Sequence, residues 1–186
     1  MASSTRIANR YASALMNQAK ADGTLETVSK DFQVIMNAVH ASDEFVALLN
    51  SPVIRHIAKV SIFKEMLASN ISQLMMNFLI LLAEKHRESI IPDIFSSFTD
   101  LYNEEKKLVP VRFTSAVEID EALRNKLIES IAKRTGKTVL PTFSVDPALK
   151  GGVTIRIADT MIDASLRHQL DILYSELTGS ATHLMA

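Results

Sequence analysis

The chain has 186 residues, 47% of them hydrophobic, and a formal net charge of −1. That is enough apolar material for one ordinary domain or two small ones, and it excludes global disorder. The near-neutral balance excludes an overall basic field for nucleic acid or an anionic membrane, and the lack of cysteine excludes disulfides, cysteine nucleophiles and cysteine-held metals.

The first hundred residues read as helix after helix. From Arg6 to about Ala21 the pattern is amphipathic; Gly23 then breaks it, and Thr24 is placed to cap a second helix. In that helix Leu25, Val28, Phe32, Ile35, Met36 and Val39 recur at the i, i+3, i+4, i+7 spacing. Ser42 is placed to cap a short third helix carrying Phe45, Leu48 and Leu49. Ser51-Pro52 ends it, because the ring disfavours α conformation in the residue before it. Further helices are predicted near Arg55 to Ala68, near Ile71 to Arg87, and from Pro92, whose fixed φ suits a helix start. The last of these aligns Ile94, Phe95, Phe98, Leu101 and Tyr102 on one side.

A charged run, Asn103-Glu104-Glu105-Lys106-Lys107, marks a change of pattern. Val109 to Val117 alternates as a strand does. A helix is predicted from about Asp120 to Thr135, with Gly136 at its C-cap. Thr138 to Val145 and Val153 to Ile157 are two more strands, joined by Asp146-Pro147-Ala148-Leu149-Lys150-Gly151-Gly152. Asp163 is placed to cap a final helix near Ala164 to Leu177, and the tail from Gly179 reads as frayed. The expected fold is α+β. A six-helix bundle occupies residues 1–105, and a smaller α/β domain with a short sheet and two helices occupies 106–186.

Two helices carry more apolar surface than a bundle core needs. A core-facing stripe is somewhat over ~100° wide, whereas the apolar positions of the first helix, Ile7 to Ala19, cover roughly 200°. Ala8, Ala12 and Ala19 share one edge, where small side chains admit another helix. The fifth helix is apolar from Leu74 to Ala83 except at Asn77, with only Gln73, Asn77 and Glu84 forming a polar strip. Two readings fit: the fifth helix is the buried centre of the bundle, or part of its surplus lines a groove for a partner's amphipathic helix. Its adjacent methionines suit either use.

Nothing in the pattern builds a reaction centre. Gly151-Gly152 lacks the following Gly-Lys-Ser/Thr of a phosphate loop and reads instead as a tight structural turn with Asp146 and Pro147. Asp163, Ser165 and His168 lie close in sequence, but no nucleophile-elbow glycines surround the serine. His40, His56, His86, His168 and His183 show no metal-ligand spacing. His86, between Lys85 and Arg87, is read as complementing a helix C-terminus. Lys133, Arg134 and Lys137, with Glu118, Asp120, Glu121 and Glu129 around them, read as a solvated face. No catalytic residue, cofactor, metal or nucleic-acid partner is expected. The start, MASSTRIANRYASAL, lacks the apolar core of a signal peptide, and Leu74 to Ala83 is too short for the ~20 residues that cross a bilayer. Direct membrane insertion is therefore not expected.

Fragments along nearly the whole chain, in order, carry a family resemblance. They are Arg10-Tyr11-Ala12-Ser13-Ala14-Leu15, Ser51-Pro52 with Lys59, Asn77-Phe78-Leu79 with Arg87, Val111 to Ala116, Val145 to Gly152 ahead of the last hairpin, and Asp163 to Leu170. Together they resemble the delta subunit of bacterial and chloroplast F-type ATP synthases, the oligomycin-sensitivity-conferring protein of mitochondria. Two positions depart from the family pattern: Ala164 stands where glycine is common, and Lys150 where an aliphatic residue precedes the double glycine. The resemblance implies a non-catalytic stator subunit of the proton-translocating enzyme, peripheral on the cytoplasmic face of a bacterial inner membrane. It implies that the first and fifth helices receive N-terminal helices of the alpha subunits. Such a groove would draw on Ala8, Tyr11, Ala12, Leu15 and Ala19 with Met75, Phe78, Leu79 and Leu82. It also implies that the C-terminal domain meets the b subunits of the peripheral stalk. The other reading is a helical adaptor or regulatory protein that captures a partner's amphipathic helix.

Overall fold

Two compact units divide the chain, Met1–Asn103 and Glu104–Ala186. The computed structural model describes residues 2–51, 54–67 and 69–177; Pro52, Ala68, His183 and the tail from Gly179 lie outside them. Among the described residues the first unit holds α1 (Ala2–Ala21), α2 (Leu25–Ala41), α3 (Asp43–Asn50), α4 (His56–Leu67), α5 (Gln73–Glu84) and α6 (Ile91–Glu105), with a 3₁₀ turn at Glu88–Ile90. Val28, Phe32 and Ile35 of α2 are buried with Phe63 of α4, Met75, Leu79 and Leu82 of α5, and Ile94 and Phe98 of α6. Phe32 stands at the centre, within ring contact of Phe78, Phe95 and Phe98.

Helix ends follow local chemistry, with two departures from the sequence pattern. Ser42 accepts a hydrogen bond from the Phe45 amide and caps α3 as expected. Thr24 does not cap α2 through its side chain, and its Oγ1 is buried without a hydrogen-bond partner. The reason is that closing α1 holds the Thr24 backbone at φ −105°, ψ 18°, outside the extended region of a side-chain cap. The Thr24 amide donates to the Ala19 carbonyl and that of Gly23 to Lys20, with Gly23 in the left-handed conformation. The same closure ends α5 at Glu84, short of the expected Arg87. Arg87 and His86 amides donate to Leu82 and Ala83, and His86 takes the left-handed position (φ 53°) where glycine is usual.

Buried polar groups fix the ends of α5. At its start, Ser72 caps the Met75 amide while Asp31 of α2, itself buried, accepts from the Ser72 amide and hydroxyl. A carboxylate there also suits the positive end of the helix dipole. Beyond its C-terminus lies a buried ion pair: Lys59 Nζ of α4 is 2.9 Å from Glu88 Oε1 and also donates to the Leu49 carbonyl in the last turn of α3. Three segments thus meet on one ammonium group.

In the second unit, β1 (Leu108–Ser115), α7 (Glu121–Thr135), β2 (Thr138–Val145), β3 (Val153–Ile157), β4 (Thr160–Asp163) and α8 (Leu166–Leu177) occur in that order, with a 3₁₀ turn at Pro147–Leu149. The sheet order is β2-β1-β3-β4. β1 and β2 are parallel across the α7 crossover, and the other pairs are antiparallel. Val109, Val111 and Phe113 alternate onto the face that Ile131, Leu127 and Ile128 of α7 cover. Phe113 stacks on Phe143 at 5.0 Å, and Arg124 lies over Phe143. Asp120 caps α7 through the Leu123 amide, and Gly136 (φ 65°) ends it. β4, absent from the expected strands, pairs with β3 through four residues that are too few to show alternation.

Removing one member of a buried ion pair strands the other. Lys59→Met should therefore cost about 3–5 kcal/mol of stability in urea unfolding. The double variant Lys59→Met/Glu88→Leu should recover most of that loss.

Candidate functional site

An open cavity of about 520 Å³ lies between α1 and α5. Its floor is Leu15 and Phe78, nearly buried, and its walls are Tyr11, Ala14, Leu74 and Leu81, the last 41% exposed. Phe78 is held from below by Phe32 and from the side by Tyr11, whose ring meets it edge-on at 6.2 Å and 71°. The floor is therefore set by the bundle core. Arg10, Gln18 and Asn77 make a polar rim. Along α1 the lining runs Arg10, Ala14, Gln18 at i, i+4, i+8, and along α5 it runs Leu74, Phe78, Leu81. At 1.5 Å per residue each row is about 10–12 Å long, matching two turns of a docked helix.

The nine residues expected in a groove divide sharply. Tyr11, Leu15 and Phe78 line the cavity. Ala8, Ala12, Ala19, Met75 and Leu82 have no exposed surface and Leu79 has 1%, so in this structure they belong to the bundle core. Their burial comes from packing: they lie on the part of each apolar arc that the other helices cover. Arg10, Ala14, Gln18, Leu74, Asn77 and Leu81 complete the lining and lie outside the expected set. The signal for Ala14, Leu74 and Leu81 is their place at the margin of an arc wider than a core requires.

The second unit carries another uncovered surface. α8 has no buried residue; Leu166, Leu170, Leu173, Tyr174 and Leu177 are 48–78% exposed and recur at i, i+4, i+7, i+8, i+11. This makes one apolar stripe about 16 Å long. Its start is fixed by the turn before β3. Asp146 accepts from the Ala148 amide with Pro147 at the first 3₁₀ position, Lys150 is left-handed (φ 61°), and the Leu166 amide donates to the Gly151 carbonyl. Leu166 packs directly on Gly151. A Cβ at Gly152 (φ 80°) would collide with the Ala164 carbonyl oxygen.

Asp163, Ser165 and His168 do come together, but through backbone amides. Asp163 accepts from the Ser165 amide, and Ser165 Oγ accepts from the His168 amide, so Ser165, not Asp163, caps α8. Asp163 comes two residues too early for the cap and serves to orient it. Hydrogen bonding from the Ser165 hydroxyl, helped by the Ser165 amide and the charges of His168 and Arg167, holds the Asp163 carboxyl below its ordinary range. Its stabilising effect is thus present above the unfolded carboxylate range and is lost as pH falls through the lowered native value. No three His, Asp or Glu side chains among the described residues group as metal ligands.

The model of the family described as ATP synthase delta (OSCP) subunit matches residues 7–177. The chain is 34% identical over 171 residues to ATP synthase subunit delta of Chlorobium chlorochromatii, covering 92% of this chain and 96% of that one. It is 34% identical over 176 residues to the protein of the same name from Desulforamulus reducens, covering 95% and 97%. Its fold matches a chain in the cryo-EM structure of the Toxoplasma gondii mitochondrial ATP synthase hexamer at TM-score 0.72 and 23% identity, over 95% of this chain and 98% of that one.

The contact of Gly152 with the Ala164 carbonyl makes a residue-specific expectation. Gly152→Ala should cost at least about 2 kcal/mol in urea unfolding, from positive φ and backbone collision together. At Lys150 the relief of a left-handed side chain is offset by a freer unfolded chain. Lys150→Gly should therefore stay within about 1 kcal/mol of the parent.

Proposed function

The chain belongs to the ATP synthase delta (OSCP) subunit family and is a non-catalytic subunit of that enzyme; from this we propose that it is the stator joint between the catalytic head and the peripheral stalk. The observation that supports this reading most directly is the α1–α5 groove. It is apolar, two helical turns long and floored by rings that the core holds in place. We assign it to an N-terminal helix of an alpha subunit. The α8 stripe is assigned to the b subunits of the stalk, since its apolar residues are about half or more exposed and none is buried.

The two surfaces lie in different compact units, so one chain can hold two partners at once. Resisting rotor torque requires both joints to outlast many turns. A nanomolar joint corresponds to about −12 kcal/mol. Burying Leu81, Leu74 and the ring edges of Tyr11 and Phe78 under one helix supplies part of that at about 25 cal/mol per Å². No described helix is long and apolar enough to cross a membrane. In this reading the chain is peripheral at the cytoplasmic side of the membrane, attached through other subunits of the proton-translocating enzyme.

Binding of a synthetic alpha-subunit N-terminal peptide to the full chain tests the assignment by calorimetry. Leu81→Asp and Ala14→Glu alter exposed wall positions, so the fold should persist. Each should weaken the peptide by at least about tenfold: Leu81→Asp buries an unpaired charge under the docked helix, and the Ala14→Glu side chain fills the wall and occupies Arg10 one turn away. Unchanged affinity in both folded variants would remove the groove from the proposal.

A further inference from the structure

Among the described residues that line the groove Arg10 is the only charged one, and its surroundings define what must face it. The two neutral rim amides are engaged on their own helices: Gln18 Nε2 donates to Asp22, and Asn77 Oδ1 accepts from Gln73 Nε2. Arg10 is exposed, and its guanidinium makes no ion pair or hydrogen bond with the other described residues. α1 contains Arg6, Arg10 and Lys20 and no carboxylate, and α5 from Leu74 to Leu81 is uncharged. The groove therefore has a positive end at Arg10. Two turns away, at Gln18, the lining is neutral.

Resting on the assignment of this groove to an alpha-subunit helix, we propose that Arg10 sets the direction and register of that helix by pairing with one carboxylate on it. An apolar floor of two turns holds a helix well but fixes its sense poorly, since Leu, Ile and Phe side chains fill it in either direction. A single cation at one end breaks that symmetry. The planar guanidinium accepts a carboxylate through two parallel N–H donors, which defines position along the groove as well as charge. A helix docked in reverse would place its carboxylate at the neutral Gln18 end, where no lining cation meets it, and leave Arg10 unanswered. Arg10 is thus a specificity-determining residue, and the apolar wall supplies the affinity.

The test uses the full chain and the alpha-subunit N-terminal peptide, with every Asp and Glu of the peptide changed singly to Lys. At low salt, Arg10→Gln should weaken binding about 3-fold and Arg10→Glu about 10-fold. Both losses should shrink in 0.5 M salt, where the Debye length is only a few ångströms. One Lys-substituted peptide, and only one, should bind Arg10→Glu better than it binds the parent chain. The proposal is overturned if Arg10→Glu binds every peptide as the parent does while Leu81→Asp still abolishes binding, an outcome that leaves the groove assignment intact. It is likewise overturned if all Lys peptides rescue equally, which would show a diffuse field without register. If the parent chain binds no peptide, the groove assignment and this pairing fall together.

Discussion

Everything in the first unit is arranged around a helix that cannot be left bare. α5 is apolar on all sides except the strip through Gln73, Asn77 and Glu84, so the bundle must wrap it. Covering Met75, Leu79, Leu82 and Ala83 takes the other helices. The edge of Leu74 and Leu81 is then left beside α1, with Phe78 between. Buried polar contacts keep α5 from rolling to hide that edge. Asp31 and Ser72 pin its start, the left-handed His86 closes its end, and the Lys59–Glu88 pair anchors the chain just beyond. The groove is what remains when a wide apolar helix is fixed at both ends.

That arrangement explains why the elements could be read from the sequence and the groove only in part. Periodicity located α2 and the alternating face of β1 because each has one buried side and one wet side, and the six-helix bundle with a small α+β unit follows from those patterns. Helix ends were legible where one residue had one task, as with the Ser42 cap of α3 and Gly136 at the end of α7. Thr24 failed because closing α1 holds its backbone at φ −105°, ψ 18°, outside the extended region from which a side chain caps a helix. Asp163 failed because it comes two residues too early: Ser165 stands at the cap position and accepts from the His168 amide, while Asp163 accepts from Ser165. In the groove, composition announced a surplus of apolar surface on α1 and α5. Which residues formed the surplus depended on how neighbouring helices divide each arc, and that is a packing outcome with no local signature. Hence Ala8, Ala12 and Met75 went to the core while Ala14 and Leu81 went to the wall.

The second unit solves a different problem. Its sheet is covered on one face by α7, and α8 is held mainly at its beginning, by the Ser165 cap, the Leu166–Gly151 packing and the left-handed turn that Gly152 permits. Ala164 stands where glycine is frequent in the family, yet its carbonyl still approaches Gly152 closely, so the constraint rests on the second glycine of the pair. Lys150 accepts a left-handed conformation that a β-branched aliphatic residue there would accept less readily. The two departures from the family pattern are therefore compatible with the turn they flank.

The two surfaces differ in how much order they already possess, and this bears on how a joint between them would behave. The groove floor is rigid before anything docks, since Phe78 is locked between Phe32 and Tyr11; little ordering entropy remains for a partner to supply. α8 is a twelve-residue helix with no buried side chain, a length that is marginal in isolation and gains most from being covered. A partner helix lying along Leu166, Leu170, Leu173 and Leu177 would stabilise α8 and bind it in one step. Under the assignments proposed above, binding at the head would resemble docking to a preformed site, while binding at the stalk would be coupled to stability of the last helix. In a connector of the kind proposed, α8 is then the part that depends most on its partner, and loss of that partner should loosen α8 before it disturbs the bundle.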